Sequence, residues 1–417
     1  MNKKEGLFIF LVLCIAMCLR LLWIFHLDNS VDVWGDWWDE IASNLISGRG
    51  FVVENPFNPG DIPYYSWRPP AFPLFLAGIY AVFGHKFLYA KIGLALISTF
   101  SVLLGYFIAK RLFNPFTGRL TAIAMAIYPT FIFFTGYLAP ETLTLFLILL
   151  TIFFLTGGIH NSNSTSILLA GLSLGCTVMC RTIMALFFIF IFIWLLLMGK
   201  SKKELWKSFF IIITGMLVII LPWVVRNYKI HRTIVFHSTD AGQALFINNN
   251  PESFKIEPSG TAFVYNPSEF LHLSEVETTR IFKARAKDFI VHNPATYLKY
   301  VGKRFLNFWR PVPYKVSGPG KAYSYLHQII SGIYTIPVFI LALLGLFYSK
   351  GAWRKLFIIY ALIIYYSGTY ILVRAIIRYR MPVEPYLIMF AAYGIAVLWQ
   401  RYNISKAIHK NYGEKVS

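Results

Sequence analysis

The chain has 417 residues, of which 57% are hydrophobic, 18% aromatic and only 14% charged, with apolar runs long enough to cross a bilayer. That composition excludes an ordinary soluble domain and requires an all-α polytopic membrane protein. The formal charge of +20 would suit a nucleic-acid partner in a soluble chain, but the cations recur as short clusters between apolar runs, so none is expected.

The first run, 6–26, follows Lys3 and Lys4 and lacks a small-x-small cleavage site, so it reads as an uncleaved anchor. Residues 27–91 then form a first outer loop. Its segment DVWGDWWDEIASNLISGRGF (32–51) sets Asp32, Asp36, Asp39 and Glu40 within nine positions of a chain poor in acids. Helical spacing over 36–47, ended by Gly48 and Gly50, puts Asp36 at a helix N-terminus. WRPP places Arg68 in the same loop. The apolar stretch 69–84, opened by Pro69 and Pro70, is expected to lie at the outer interface instead of crossing.

Further spans are expected at 92–110, 117–136, 142–158, 164–180, 182–199, 208–225, 326–349, 355–373 and 382–400, about ten with the first. Basic clusters at Lys110, Arg111 and Arg119, at Lys200, Lys202, Lys203 and Lys207, at Lys350, Arg354 and Lys355, and from Arg401 onward mark the inner side. YLAPETL (137–143) is therefore an outer tip. It carries Glu141, which stands alone between Asp61 and Glu204, and an acid so close to the membrane calls for a partner or a task.

Residues 226–325 form a second, larger outer loop, with helical spacing between 268 and 292 and again after Pro294. Tyr297, Tyr300, Phe305, Phe308 and Trp309 suit an interfacial helix, with Lys299, Lys303 and Arg304 near headgroups. NNNP at 248–251 reads as a polar turn more than a sugar site. His231 and His237 offer an acid or a metal ligand, but two histidines are short of a metal site. Cys14, Cys18, Cys176 and Cys180 all lie in apolar runs, as core residues without a disulfide framework. NSNSTSI (161–167) falls inside, where its triplets are not glycosylated. Nothing resembles a phosphate-cradling glycine loop, which argues against a nucleotide donor. Neither inverted repeats nor an interrupted midplane span favours a transporter. The late segment RYRMPVEP adds Arg378 and Arg380 to Arg374, three cations in seven residues.

Acids and guanidinium groups facing one outer cavity suggest a base plus an anion clamp. DEIASNLISGRGF, RPPAFPLFLAGIYAVFG, AKIG, GYLAPETL, PWVVRNY with STDAGQALFINNNP, and RYRMPVEPYLIMFAAYG, in that order, resemble the GT-C superfamily of polyprenyl-phosphate-sugar transferases. The pattern resembles in particular the protein O-mannosyltransferases and the lipid A aminoarabinose transferases. The resemblance implies a GT-C-like bundle of about ten transmembrane helices with outer juxtamembrane helices, one integral domain over 1–417 of a multi-pass protein of the cytoplasmic membrane. It also implies transfer of a sugar from a polyprenyl-phosphate donor to a hydroxyl of a glycan, lipid or protein acceptor on the outer face. One base and one displacement predict inversion. Asp36 is the expected catalytic base; Asp39, Asp32 and Glu40 stay open, because Trp34 stands where the family pattern places its Asp. Glu141 is expected to orient the base or the acceptor, or to hold the cations. Arg68, Lys91, Arg378 and Arg380 are expected to bind the donor phosphate or close the loop over it, Lys91 where Arg is usual. No metal ligand is assigned, and a divalent cation stays open as a cofactor. The competing readings are a transporter or flippase of a lipid-linked sugar and a GT-C glycan polymerase or ligase.

Overall fold

A computed structural model describes residues 3–27, 29, 37–57, 60, 62–256, 258–313 and 325–413. The helices run α1 Lys3–His26, α2 Trp38–Ile46, α3 Ala71–Phe83, α4 Phe87–Leu112, α5 Pro115–Ile127, α6 Pro129–Phe133, α7 Glu141–Asn161 and α8 Ser164–Cys180. They continue with α9 Phe187–Leu197, α10 Lys202–His231, α11 Ala241–Phe246, α12 Glu275–His292, α13 Pro294–Trp309, α14 Tyr325–Tyr348, α15 Trp353–Val373 and α16 Glu384–Gly413. The described residues contain no strand, only an isolated bridge between Val53 and Tyr64.

Seven helical stretches are long and apolar enough to cross a membrane, and the bent pair α5–α6 makes an eighth if it counts as one span. The expected spans at 164–180 and 182–199 appear as shorter apolar helices, α8 and Thr182–Leu197. At 1.5 Å per residue the 17 residues of α8 reach about 25 Å, slightly under a typical hydrocarbon core. The 13 residues of α3 reach only about 20 Å. Both ends of α3 stay on one side: Pro69 borders the cavity described below, and Tyr80 bonds Asp39 of α2.

Contacts between helix ends define two faces. On one, Lys110 pairs with Glu5 at 2.8 Å, Arg111 donates to the Phe153 carbonyl, and Lys355 donates to the Arg111 and Leu112 carbonyls. The basic clusters at 200–207 and 350–355 belong to this face. On the other, the ends of α1, α8, α10 and α15 meet the starts of α4 and α7.

The bend between α5 and α6 is 49°, and its cause is local. Pro129 has no N–H, so the helical ladder cannot continue through it and carbonyls in the last turn of α5 lose their donors. Arg20, fully buried in α1, supplies replacements. Its guanidinium donates to the Ala126 carbonyl at 3.0 Å, the Met125 carbonyl at 3.4 Å, the Ala16 carbonyl at 2.8 Å and the Ser98 hydroxyl at 2.8 Å.

Small residues let other helices touch. A Cβ on Gly215 of α10 would meet the Leu168 carbonyl of α8 at 2.9 Å, and one on Gly394 of α16 would meet the Leu341 carbonyl of α14 at 2.8 Å. Such close backbone approach is how bundles pack where lipid competes for apolar side chains. Above the bundle the two loops share a core of their own. Ile41, Phe51, Phe57, Tyr64 and Trp67 from the first pack with Phe246, Phe270 and Phe282 from the second. This aromatic cluster fixes one loop against the other over the membrane helices, and the gap beneath them is the cavity.

Candidate active site

A cavity of about 410 Å3 opens where both loops meet the bundle. One wall is cationic. Glu141 is the first residue of α7, directly after Pro140, and only 1% exposed. Its Oε1 accepts from Arg181 at 2.6 Å and lies 3.5 Å from Arg378 Nε, while Oε2 has no hydrogen-bond partner among the described residues. Arg181 occupies the break between α8 and the 3-10 turn Thr182–Leu186. Arg374 and Arg378 stand where α15 gives way to an extended residue and then to the 3-10 turn Ile377–Val383. Breaking the helices there lets three guanidinium groups point at one space. Arg181, Arg374 and Arg378 surround the Tyr379 ring at 5.3, 5.9 and 5.2 Å, and all three line the cavity. Three guanidinium groups against one carboxylate leave this wall at net +2. The Arg374 Nε has no hydrogen-bond partner among the described residues.

The facing wall comes from the loops. Arg68 pairs with Asp240 at 2.9 Å, and its guanidinium sits 5.2 Å from the Trp37 and Trp38 rings and 5.9 Å from Trp67. Asp240 also accepts from Ser238 at 2.7 Å. Trp37 holds a positive φ of 61°, a conformation costly for a bulky residue, where the loop turns into α2. Gln243, Phe263 and Tyr265 complete this wall, with Gln243 donating to the Tyr265 hydroxyl at 2.9 Å.

Residues 67–225 match the family described as dolichyl-phosphate-mannose-protein mannosyltransferase. Among solved structures, the oligosaccharyltransferase AglB of Archaeoglobus fulgidus, in complex with an inhibitory peptide and a dolichol-phosphate, superposes with a TM-score of 0.57 at 13% identity, over 98% of this chain and 52% of that one. Its apo form gives a TM-score of 0.59 at 14% identity, over 99% and 52%. The fold is GT-C. ArnT from Cupriavidus metallidurans, bound to undecaprenyl phosphate, gives a TM-score of 0.50 at 14% identity over 99% of this chain and 64% of that one. The chain spans about half the length of the oligosaccharyltransferases it matches. No curated protein matches it by sequence. The matched stretch starts one residue before Arg68 and includes Glu141 and Arg181.

Within this GT-C-like fold the residues expected from the sequence separate into three groups. Arg68 and Arg378 line the cavity, and Glu141 lies directly behind it, held by Arg181 and Arg378. Asp36 and Asp32 lie outside the described residues, although Trp37, the next residue after Asp36, lines the cavity. Asp39, Lys91 and Arg380 face elsewhere. Asp39 accepts from the Tyr80 hydroxyl at 2.5 Å and pairs with His85 at 3.0 Å, tying α2 to the end of α3. Lys91, buried in α4, donates to Asn29 at 2.8 Å. Arg380 is 1% exposed, pairs with Glu384 at 2.9 Å and donates to the Phe308 and Arg310 carbonyls at 2.9 and 2.7 Å, so it caps α13.

The second loop is also clarified. In NNNP the amides of Asn248, Asn249 and Asn250 donate to the carbonyls of Ala244, Leu245 and Phe246, four residues back. All three are buried, so they finish α11 as the polar turn expected and are not directed at a sugar. Burial pushes the His237 imidazole down to about 4, so it stays neutral; one ring nitrogen contacts Thr182 and Ser238. His231 contacts Ser66 and Glu275. Among the described residues no three His, Cys, Asp or Glu side chains gather as a metal site, and both carboxylates at the cavity are already paired with arginines. The guanidinium groups on both walls suit an anion.

Arg181 and Asp240 were missed from the sequence. Arg181 had a signal, as the one cation within the apolar stretch 164–199, where an ionisable residue is a site candidate by default. Asp240 had none, since it sits in an ordinary polar loop and matters only because Arg68 comes to it.

Proposed function

We propose that this chain is a membrane glycosyltransferase that moves a sugar from a polyprenyl-phosphate donor to an acceptor hydroxyl, on the outer face of the cytoplasmic membrane and with inversion. The observation that carries this reading is the net-positive wall of Arg181, Arg374 and Arg378 in a large cavity at one end of an apolar bundle. The donor's phosphodiester brings one negative charge and the departing phosphate monoester close to two, which matches that wall. Beside Arg378 a small crevice of about 60 Å3 has a largely apolar lining that includes Pro129, Phe133, Phe134, Ile330 and Ile377, a lining suited to the first part of a polyprenyl chain. The dolichol-phosphate and undecaprenyl phosphate of the similarly folded AglB and ArnT structures support the same ligand class. The basic clusters crowd the opposite face, which supports an outer site.

In the reaction Asp36 takes the proton of the acceptor hydroxyl as its oxygen attacks the anomeric carbon. The bond from that carbon to the phosphate oxygen breaks, and the phosphate leaves with the electron pair. Arg374, Arg378 and Arg181 stabilise the growing charge, which fixed donors in a partly dry cavity do well. Arg68, stacked between tryptophans, completes the clamp from the loop side, and Glu141 keeps Arg181 and Arg378 in place. A proton-coupled carrier needs a carboxylate deep in a span. Among the described residues the acids sit at the ends of the membrane-length helices or in the loops. Incubating the purified chain with a panel of polyprenyl-phosphate sugars and following release of polyprenyl phosphate tests the reading. Release that depends on an acceptor supports it; uncleaved donor across the panel, with donor moving across vesicles instead, overturns it.

A further inference from the structure

Glu275 is 3% exposed, lies away from the cavity and has no part in the chemistry above. A buried carboxylate is expensive unless donors surround it, and here they do. It opens α12, and its oxygens accept from Tyr65 N at 2.8 Å, from Ser66 N at 3.0 and 3.1 Å, and from the Thr239 hydroxyl at 2.7 Å. His231 Nε2 lies 3.3 Å away. Thr239 N donates to the Ser66 carbonyl at 2.8 Å, so the two segments also hold each other. The Thr279 hydroxyl, one turn along α12, donates to the Thr239 carbonyl, and Tyr64 meets Thr278 at 3.0 Å.

The segments that Glu275 gathers carry the loop wall of the site. Ser66 is two residues before Arg68, and Thr239 immediately precedes Asp240. The Arg68–Asp240 pair therefore joins two stretches of chain more than 170 residues apart, which a carboxylate on a third stretch grips together beside their own backbone bond. The Ser66 hydroxyl also meets His231 Nε2 at 2.9 Å, but the Glu275 contact uses the same ring nitrogen, so no nucleophilic relay is formed.

We infer that Glu275 is a positioning residue: it sets the Arg68–Asp240 pair against the cationic wall and so makes sugar transfer depend on docking of α12. This rests on the glycosyltransferase reading. A structural role alone would lower stability without regard to Arg68; a positioning role couples to it.

The test uses the full-length chain in nanodiscs, with kcat, KM and melting temperature measured for Glu275→Gln, Thr239→Val, Glu277→Ala, Arg68→Lys and the Glu275→Gln/Arg68→Lys double variant. Gln keeps the size but presents an amide donor to backbone N–H groups, so kcat should fall about tenfold with acceptor KM changed less than about twofold. Thr239→Val removes a single contact and should fall about threefold, which keeps the test open if Glu275→Gln folds badly. Glu277 serves only the exposed capping box with Ser274, so Glu277→Ala should melt earlier yet turn over like wild type. In the Arg68→Lys background, Glu275→Gln should cost less than about twofold more. Equal losses in both backgrounds, or a Glu277→Ala variant as slow as Glu275→Gln, overturn the inference. A wild-type chain that releases no polyprenyl phosphate overturns the glycosyltransferase reading, and this inference with it.

Discussion

Replacing Glu141 by Ala should both loosen the bundle and empty the cationic wall of its order. The carboxylate is 1% exposed, 2.6 Å from Arg181 and 3.5 Å from Arg378. Two unit charges about 4 Å apart at an effective dielectric constant near 20 attract by roughly 4 kcal/mol, but the desolvation of the pair offsets much of that. Removing one partner restores none of the lost solvation and leaves Arg181 and Arg378 repelling each other beside Arg374, for which about 3–5 kcal/mol is the usual cost. For a chain of 417 residues that corresponds to a fall in melting temperature of roughly 3–6 °C. Glu141→Gln keeps an acceptor for Arg181 but not the charge, so it should fall between wild type and Glu141→Ala. Because a bound phosphate replaces the missing negative charge, polyprenyl phosphate should raise the melting temperature of Glu141→Ala more than that of wild type. The assay is thermal unfolding of the purified chain followed by size exclusion, with and without polyprenyl phosphate. Unchanged melting in Glu141→Ala, or equal stabilisation of both proteins by the lipid, would refute the reasoning.

Asp36→Asn should abolish transfer by at least about 100-fold while donor binding persists, since the amide cannot take the proton; a near wild-type rate, with Asp32→Asn or Asp39→Asn inactive, would move the base. Arg68→Ala should weaken donor binding more than Arg68→Lys, because Lys keeps charge but loses the planar contact with Trp37 and Trp38; equal affinities for both and wild type would remove Arg68 from the site. Arg20→Met should leave the Ala126 and Met125 carbonyls without donors in an apolar interior, costing about 3 kcal/mol or more, read as an earlier melt with turnover intact in the surviving fraction. An impermeant thiol reagent should label Lys86→Cys from outside and Lys202→Cys only after permeabilisation; the reverse pattern would invert the topology.

The sequence by itself determined the class, the all-α bundle and the order of its parts, because a bilayer requires long apolar runs and sorts basic clusters to one side, and both are local properties of the chain. It also located the short acidic helix expected over 36–47: α2 spans Trp38–Ile46 and is followed by Gly48 and Gly50 at positive φ, as the glycine spacing predicted, but its N-cap is Trp37 and not Asp36. What the tertiary structure decided is which charges share a space. Arg378 and Arg380 are two residues apart, yet the 3-10 turn between α15 and α16 sends the first to the cavity and buries the second under α13. Lys91 carries the charge expected of a phosphate ligand, but α4 turns it toward Asn29. Arg181 and Asp240 entered the site from helix breaks and loop contacts with no periodic trace. Pairing between residues 40 or 170 positions apart depends on how helices and loops pack, and packing is a property of the whole chain, not of any stretch that can be read alone.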